Sequence, residues 1–138
     1  GGIDITNNEG VNQIRFDIKV KIEDDTSDGI NEVKIFCFDF TLLLASFNHK
    51  VGFVIHDSRL FSNMDPRQRA TLFRIAYEYS NEYDRQYIAT INEDNLQPLS
   101  DYYDKERIKS ITQDSRILEL TDKSPESKLL GIQVDLEY

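Results

Sequence analysis

The feature that most constrains the fold is a pair of short apolar runs separated by a helix signal. Residues 51–55 read VGFVI, and apolar residues on both parities are typical of a central strand covered on both faces. Asp65 and Pro66 then supply a helix cap and a proline suited to the first helical position. QYIATI at 86–91 predicts the next strand. Because a helix between two strands favours a crossover connection, we predict that these strands are adjacent and parallel.

The remaining elements follow from hydrophobic spacing. Alternation over residues 12–23 predicts a strand with one buried face. Apolar residues from Ile30 to Phe47 recur at helical spacing and predict a largely buried helix, although VKIFCF alone would fit a strand. A short helix is predicted at 102–111, and final strands at 116–120 and 128–138. The order β, α, β, α, β, (α), β, β predicts an α/β fold, with flanking helices on a layered mixed sheet.

Length and composition limit the classes of function. The chain has 138 residues, which predicts a single domain over 1–138, with no structural weight on Gly1 and Gly2. A net charge of −9 disfavours nucleic-acid binding by this domain alone. The single Cys37 cannot form an internal disulfide. The polar start and the short apolar runs predict neither a signal peptide nor a membrane span, so we expect a reduced, cytoplasmic setting.

A carboxylate stands at the end of the VGFVI strand. Asp57 follows His56 directly, and ligands of open α/β sheets bind at the carboxyl ends of the strands. An aspartate there can hold Mg²⁺ beside a nucleotide, as a Walker B aspartate does. The alternative, about equally common, is an aspartate that only caps the following turn.

The start of the predicted buried helix is a second candidate. Ser27 and Gly29 offer a hydroxyl and free backbone N–H groups, which at a helix N-terminus can bind phosphate. The alternative is an ordinary cap with Glu32 in a position like that of a capping box. Asp28 opposes phosphate binding, because it adds negative charge at the same place.

Several stretches together resemble a known family. GINEVKIFCFDF, GFVIHDSRLF, MDPRQ and LLGIQVD are similar to an uncharacterised bacterial domain-of-unknown-function family found at the C-terminal ends of coiled-coil, SMC- and RecN-like ABC-type ATPases. The likeness runs from Ser27 to the end of the chain. It implies the C-terminal lobe of a P-loop ATPase head without its Walker A half, and the chain has no G-x-x-x-x-G-K-S/T motif.

The resemblance assigns roles to four residues. Ser27 and Gly29 match the signature motif, which in the family reaches across a head dimer to the γ-phosphate of ATP. Asp57 matches the Walker B aspartate and would be the Mg²⁺ ligand. Asp65 matches the D-loop aspartate, in a loop that is one residue longer than usual.

Two positions depart from the pattern of the family. Ser58 stands where ABC ATPases have the catalytic glutamate, and a serine cannot act as a carboxylate base. Asn92 stands where they have the switch histidine. His56 is the residue that could compensate, so His56, Ser58 and Asn92 are the catalytic candidates. ATP and Mg²⁺ are expected only in the full-length protein, and no activity is expected of this fragment.

The implied partners are an upstream Walker A lobe and coiled coil of the same protein, and a second head in a homodimer. DNA would be contacted only through the full-length protein, in repair, maintenance or defence. One alternative is a non-catalytic interaction module that has lost nucleotide chemistry, which Asp28, Ser58 and Asn92 favour. Another is a metal-dependent hydrolase using His56, Asp57 and Asp65 or Glu93, but the chain has only two histidines. The tyrosines of YEYSNEY suggest base stacking, although packing of the helix explains them better.

Overall fold

The structure is a computed structural model that describes residues 2–7, 9–10, 15–21 and 28–132, except for the side chain of Asp28. It is a mixed α/β protein with two compact units, residues 1–102 and 103–138. The described strands and α-helices are β1 (Gly2–Asn7), β2 (Phe16–Lys21), α1 (Asp28–Ala45), β3 (Phe53–His56), α2 (Arg59–Ser62), α3 (Pro66–Glu82), β4 (Gln86–Ala89) and α4 (Lys105–Lys109). Short 3₁₀ helices lie at 93–95, 97–101 and 125–127.

The predicted pairing of the central strands is confirmed. β3 and β4 are adjacent and parallel, with Val54 opposite Tyr87 and His56 opposite Ala89, and α3 lies between them in the chain. The predicted single mixed sheet is not what the described strands form, because β1 and β2 make a separate antiparallel pair. The prediction that β3 is covered on both faces is also wrong, since Phe53 and Ile55 are exposed.

Helix α1 packs one stripe and exposes another. Its bounds, Asp28–Ala45, are close to the predicted Ile30–Phe47. Phe36, Phe40 and Leu43 are buried, at the spacing of a single helix face. A second apolar stripe, consisting of Ile35, Phe38 and Leu42, is exposed. The prediction of a largely buried helix therefore holds for one face only, because spacing reports apolarity and not what covers it.

Helix α3 begins where the sequence predicts. Asp65 Oδ1 accepts hydrogen bonds from the backbone N–H groups of Arg67 (2.9 Å) and Gln68 (3.4 Å). The Gln68 side chain accepts in return from the Asp65 N–H, which completes a capping box. The buried face of α3 includes Leu72, Phe73 and Ala76, and Phe73 packs on Phe61 of α2, with ring centroids 4.9 Å apart. The short helix α2 was not predicted.

The first two strands form an amphipathic hairpin. Ile5 pairs with Ile18, and one face carries five apolar residues: Ile3, Ile5, Phe16, Ile18 and Val20. All are exposed except Val20, which is half-buried. The prediction of a buried face is therefore wrong for the described part of this strand, and its ends, 12–14 and 22–23, lie outside the described residues. β1 was not predicted, since its residues appear polar in sequence.

The second unit begins with a short capped helix. Asp104 Oδ1 accepts from the N–H of Arg107 at 2.8 Å, and α4 continues into one π-helical turn, Ser110–Asp114. The strand predicted at 116–120 is not formed, and Ile117 is exposed. Residues 128–132 are not a strand either, and 133–138 lie outside the described residues. In the described part of the chain, no helix combines the length and apolarity needed to cross a membrane.

Candidate functional site

The carboxyl end of β3 carries Asp57 on an exposed turn. Its Oδ1 accepts a hydrogen bond from the Arg59 N–H at 2.8 Å, which helps to begin α2. Ser58 follows at the N-cap position of α2. The Ser58 N–H donates to Thr90 Oγ1 at 3.1 Å, and the Thr90 N–H donates to the His56 carbonyl at 3.0 Å. The ends of β3 and β4 are therefore fastened to each other around Asp57.

The surroundings of Asp57 limit what it could hold. Among the residues that the structure describes, no cluster of three or more His, Cys, Asp or Glu side chains could coordinate a metal ion. A metal ion at Asp57 would therefore find fewer than three such protein ligands among the described residues. Mg²⁺ suits such a site, because it keeps several waters and is completed by substrate phosphates.

Gly29 has a steric reason to be glycine. A Cβ atom at this position would lie 2.9 Å from the Asn63 carbonyl oxygen and 3.5 Å from Met64 Cα. The N-terminus of α1 therefore approaches the α2–α3 connection closely. Glu32 contacts the same connection, since its Oε1 accepts from the Asn63 side-chain amide at 3.1 Å. Ser27, the other signature-like residue, lies outside the described residues.

The two remaining predicted residues lie at the starts of helical segments. Asp65 uses Oδ1 to cap α3. Asn92 is exposed and precedes the 3₁₀ turn 93–95, and its carbonyl accepts from the Asn95 N–H at 2.9 Å. Its side chain makes no capping bond.

A buried arginine that the sequence did not point to holds the loop after β4. Arg69 on α3 donates from Nη1 to Asn95 O (3.0 Å) and Oδ1 (2.8 Å), and from Nη2 to Met64 O (2.9 Å). Burial lowers the pKa of the Arg69 guanidinium, and the nearby Asp65 carboxylate opposes this. The arginine thus ties the loop that follows β4 to the turn that precedes α3.

His56 lies in the core, next to the exposed Asp57. It is 7% exposed. Its Nε2 lies 3.1 Å from Asp39 Oδ2 on α1, and its Nδ1 lies 3.0 Å from Tyr87 Oη on β4. Phe36 packs on both the His56 and the Tyr87 rings, at 5.7 and 5.8 Å between centroids. Burial, and secondly the Asp39 carboxylate, raise the pKa of the Tyr87 phenol above its ordinary value.

The structure brings only some of the predicted residues together. His56, Asp57 and Ser58 share the end of β3, while both ring nitrogens of His56 are already engaged by Asp39 and Tyr87. Sequence analysis missed these two partners. The one available clue was a carboxylate, Asp39, within an otherwise apolar helical stretch.

Comparison with known proteins identifies the family. A family model described as an uncharacterised protein conserved in bacteria (DUF2326) matches residues 1–134. The chain therefore belongs to this bacterial family, and that part of the predicted resemblance is confirmed. Neither the curated proteins nor the solved structures include a match to the chain. The link to SMC- and RecN-like ATPases stays a prediction.

Proposed function

We propose that this member of the DUF2326 family is the C-terminal lobe of an SMC- or RecN-like ABC-type ATPase head, and that it works by nucleotide-dependent head engagement. The observation that carries the proposal is the position of Asp57. It is exposed at the carboxyl end of β3, directly beside the parallel strand β4. Ligands of open α/β sheets bind at this edge.

The chemistry of this edge suits the role of a Walker B aspartate. The Asp57 carboxylate is exposed, and the ends of β3 and β4 are held together by the Ser58 and Thr90 hydrogen bonds. A single carboxylate on a fixed strand end can orient a hydrated Mg²⁺ on the phosphates of ATP. The loop that cradles those phosphates would come from an upstream lobe of the same protein.

In this proposal the other lobe residues serve a second nucleotide. Ser27 and Gly29 at the start of α1 would contact the ATP of the opposite head, so ATP joins two copies. Because Ser58 replaces a carboxylate base, engagement would be accompanied by slow or no hydrolysis. The protein would be cytoplasmic, and DNA would be contacted only through the full-length protein, in repair, maintenance or defence.

A second candidate is a non-catalytic interaction module. The observation that favours it is the bare outer face of β3, where Phe53 and Ile55 are each more than half exposed. Parallel sheets normally have both faces covered, so a partner protein could supply the missing layer. A non-catalytic module also agrees with the presence of Ser58 and Asn92 where ABC ATPases have the catalytic glutamate and the switch histidine.

The test is whether the full-length protein forms an ATP-dependent dimer. Sedimentation velocity with and without Mg²⁺–ATP measures this. Asp57→Asn keeps the oxygen that accepts from the Arg59 N–H but removes the charge, and it should abolish the ATP-dependent dimer. Asp84→Asn is the matched control, because Asp84 is exposed at a φ of 51°, which asparagine tolerates. Ser27→Arg should block dimerisation while leaving ATP binding intact.

The result that favours the interaction module is equally specific. If Asp57→Asn and Ser27→Arg dimerise as the unmodified protein does, these residues have no nucleotide role. A protein that shows no response to Mg²⁺–ATP in any variant would also contradict the ATPase proposal.

A further inference from the structure

The buried His56 cluster joins three elements at one point. Asp39 belongs to α1, His56 is the last residue of β3, and Tyr87 lies on β4. The two hydrogen bonds of 3.1 and 3.0 Å use both nitrogens of the imidazole. Phe36 and Phe40 of α1 stack on each other at 5.2 Å and pack against the Tyr87 ring, while the Asp39 side chain is 37% exposed.

The chemistry of the donors and acceptors indicates which atoms of the cluster carry the hydrogen-bonding protons. An ionised Asp39 carboxylate can only accept, so the proton of a neutral His56 lies on Nε2. Nδ1 must then accept, and the Tyr87 hydroxyl donates to it. The phenol is protonated at neutral pH, and its raised pKa extends this form to higher pH. With a neutral imidazole, this is the arrangement that makes both hydrogen bonds; with an imidazolium, Nδ1 would instead donate to the Tyr87 oxygen.

The cluster is one peptide bond away from Asp57. On the other side, the Ser58 N–H is held by Thr90 Oγ1, and the Thr90 N–H is held by the His56 carbonyl. The backbone of Asp57 is therefore fixed at both neighbours: at His56 by α1 and β4, and at Ser58 by the end of β4.

We propose that His56 is a positioning residue that couples α1 to Asp57, with Asp39 and Tyr87 as its two anchors. The inference rests on the proposed function. Helix α1 carries Gly29 packed against the α2–α3 connection at one end, and Asp39 lies about three turns further along. If engagement of a second head moves α1, the Asp39–His56 hydrogen bond would transmit this movement to His56 and so to the neighbouring Asp57 carboxylate.

The experiment measures Mg²⁺–ATP affinity of the full-length protein by isothermal titration. Loss of a group that orients a metal ligand costs about ten- to hundred-fold in affinity or activity. We expect a loss of that size for His56→Leu and Tyr87→Phe. His56→Gln should restore affinity close to that of the unmodified protein, because a glutamine amide can donate to Asp39 and accept from Tyr87.

The control separates positioning from general loss of packing. Leu43→Ala removes a fully buried side chain of the same helix without touching a hydrogen bond of the cluster. Its affinity for Mg²⁺–ATP, measured well below its unfolding temperature, should equal that of the unmodified protein. Equal losses in Leu43→Ala and Tyr87→Phe would reduce the cluster to a structural role and overturn the inference.

The outcomes distinguish this inference from the proposed function. If the unmodified protein binds Mg²⁺–ATP, Asp57→Asn does not, and Tyr87→Phe binds normally, the positioning role is wrong and the proposed function stands. If the unmodified protein and Asp57→Asn have the same affinity, the proposed function fails and the inference fails with it. Side-chain ¹⁵N NMR gives an independent check, since the proton of His56 should lie on Nε2, and a proton on Nδ1 alone would contradict the arrangement.

Discussion

At the scale of single residues, Gly29 illustrates how sequence and structure give different reasons for the same residue. In the sequence, Gly29 suggests a backbone open to phosphate. In the structure, the absence of a Cβ makes room for the Asn63 carbonyl oxygen, which would lie only 2.9 Å from a Cβ added at this position. The two explanations are compatible, because close packing of α1 also fixes where its first N–H groups lie. They differ in what a substitution should do to the free protein.

The first prediction concerns Gly29→Ala. Alanine normally stabilises a helix by about 1 kcal/mol relative to glycine. Here the added methyl group meets a backbone oxygen that cannot rotate away, and overpacking costs about 1–3 kcal/mol. The difference between the two effects is an expected loss of up to about 2 kcal/mol of unfolding free energy, measured by urea denaturation. Gly52→Ala is the control, since no atom lies within 4 Å of its added Cβ, and a gain in stability for Gly29→Ala would contradict the steric account.

The second prediction concerns Tyr87 and alkaline pH. Removing its hydroxyl leaves the buried Nδ1 of His56 without a donor, so Tyr87→Phe should lose about 1–3 kcal/mol of unfolding free energy near neutral pH. The pKa of Tyr87 is raised above its ordinary value of 10 in the folded protein. The contribution of the neutral phenol is therefore complete below pH 10 and is lost as pH rises toward the folded pKa.

The measurement is urea denaturation of both proteins from about pH 7 to about pH 11. The stability difference should be constant up to pH 10 and then shrink by about 1.4 kcal/mol per pH unit. The other tyrosines are shared by both proteins and cancel in the difference. A difference that stays constant to the highest pH would mean that the phenol is not held neutral by its surroundings.

At the scale of elements, the third prediction concerns the start of α3. Asp65 accepts from two N–H groups there. Asp65→Ala should lower the free energy of unfolding by about 1 kcal/mol, whereas Asp65→Ser should cost only a few tenths, because a serine oxygen can still cap. Thermal unfolding monitored by circular dichroism checks both. If the alanine variant is as stable as the unmodified chain, the capping bonds contribute nothing and Asp65 is free for another role.

Local signals explain which elements could be predicted. The cap at Asp65, the β-branched run of β3 and the spacing of α1 are all encoded within a few residues, and each element is present. Whether another element covers a face of a strand depends on residues that are distant in the sequence. The exposure of Phe53 and Ile55 could therefore not be predicted. Residues 116–120 have strand-like composition, but a strand also needs a partner edge. Asp57 could be selected as a candidate because it follows a strand in the sequence. The Asp39–His56–Tyr87 cluster could not be predicted, because its hydrogen bonds join residues that are 17 and 31 positions apart.

At the scale of the whole molecule, the bare apolar surfaces predict self-association of the isolated chain. Phe53 and Ile55 on β3 are exposed beside open strand edges, and such surfaces promote pairing between chains. The sedimentation coefficient should rise with concentration, and the Phe53→Thr, Ile55→Thr double variant should reduce this rise. Gln86→Thr, which changes an exposed polar residue opposite Phe53, is the control. A double variant that associates like the unmodified chain would show that this face is not involved.

The central claim is that the end of β3 is half of a Mg²⁺–ATP site whose other half lies upstream. The most direct measurement is isothermal titration of ATP, with and without Mg²⁺, into the full-length protein, its Asp57→Asn variant and the 138-residue chain. We predict Mg²⁺-dependent binding by the full-length protein, a marked loss in Asp57→Asn, and no tight binding by the 138-residue chain. Tight binding by the chain alone, or equal affinity in the full-length protein and its Asp57→Asn variant, would contradict the claim.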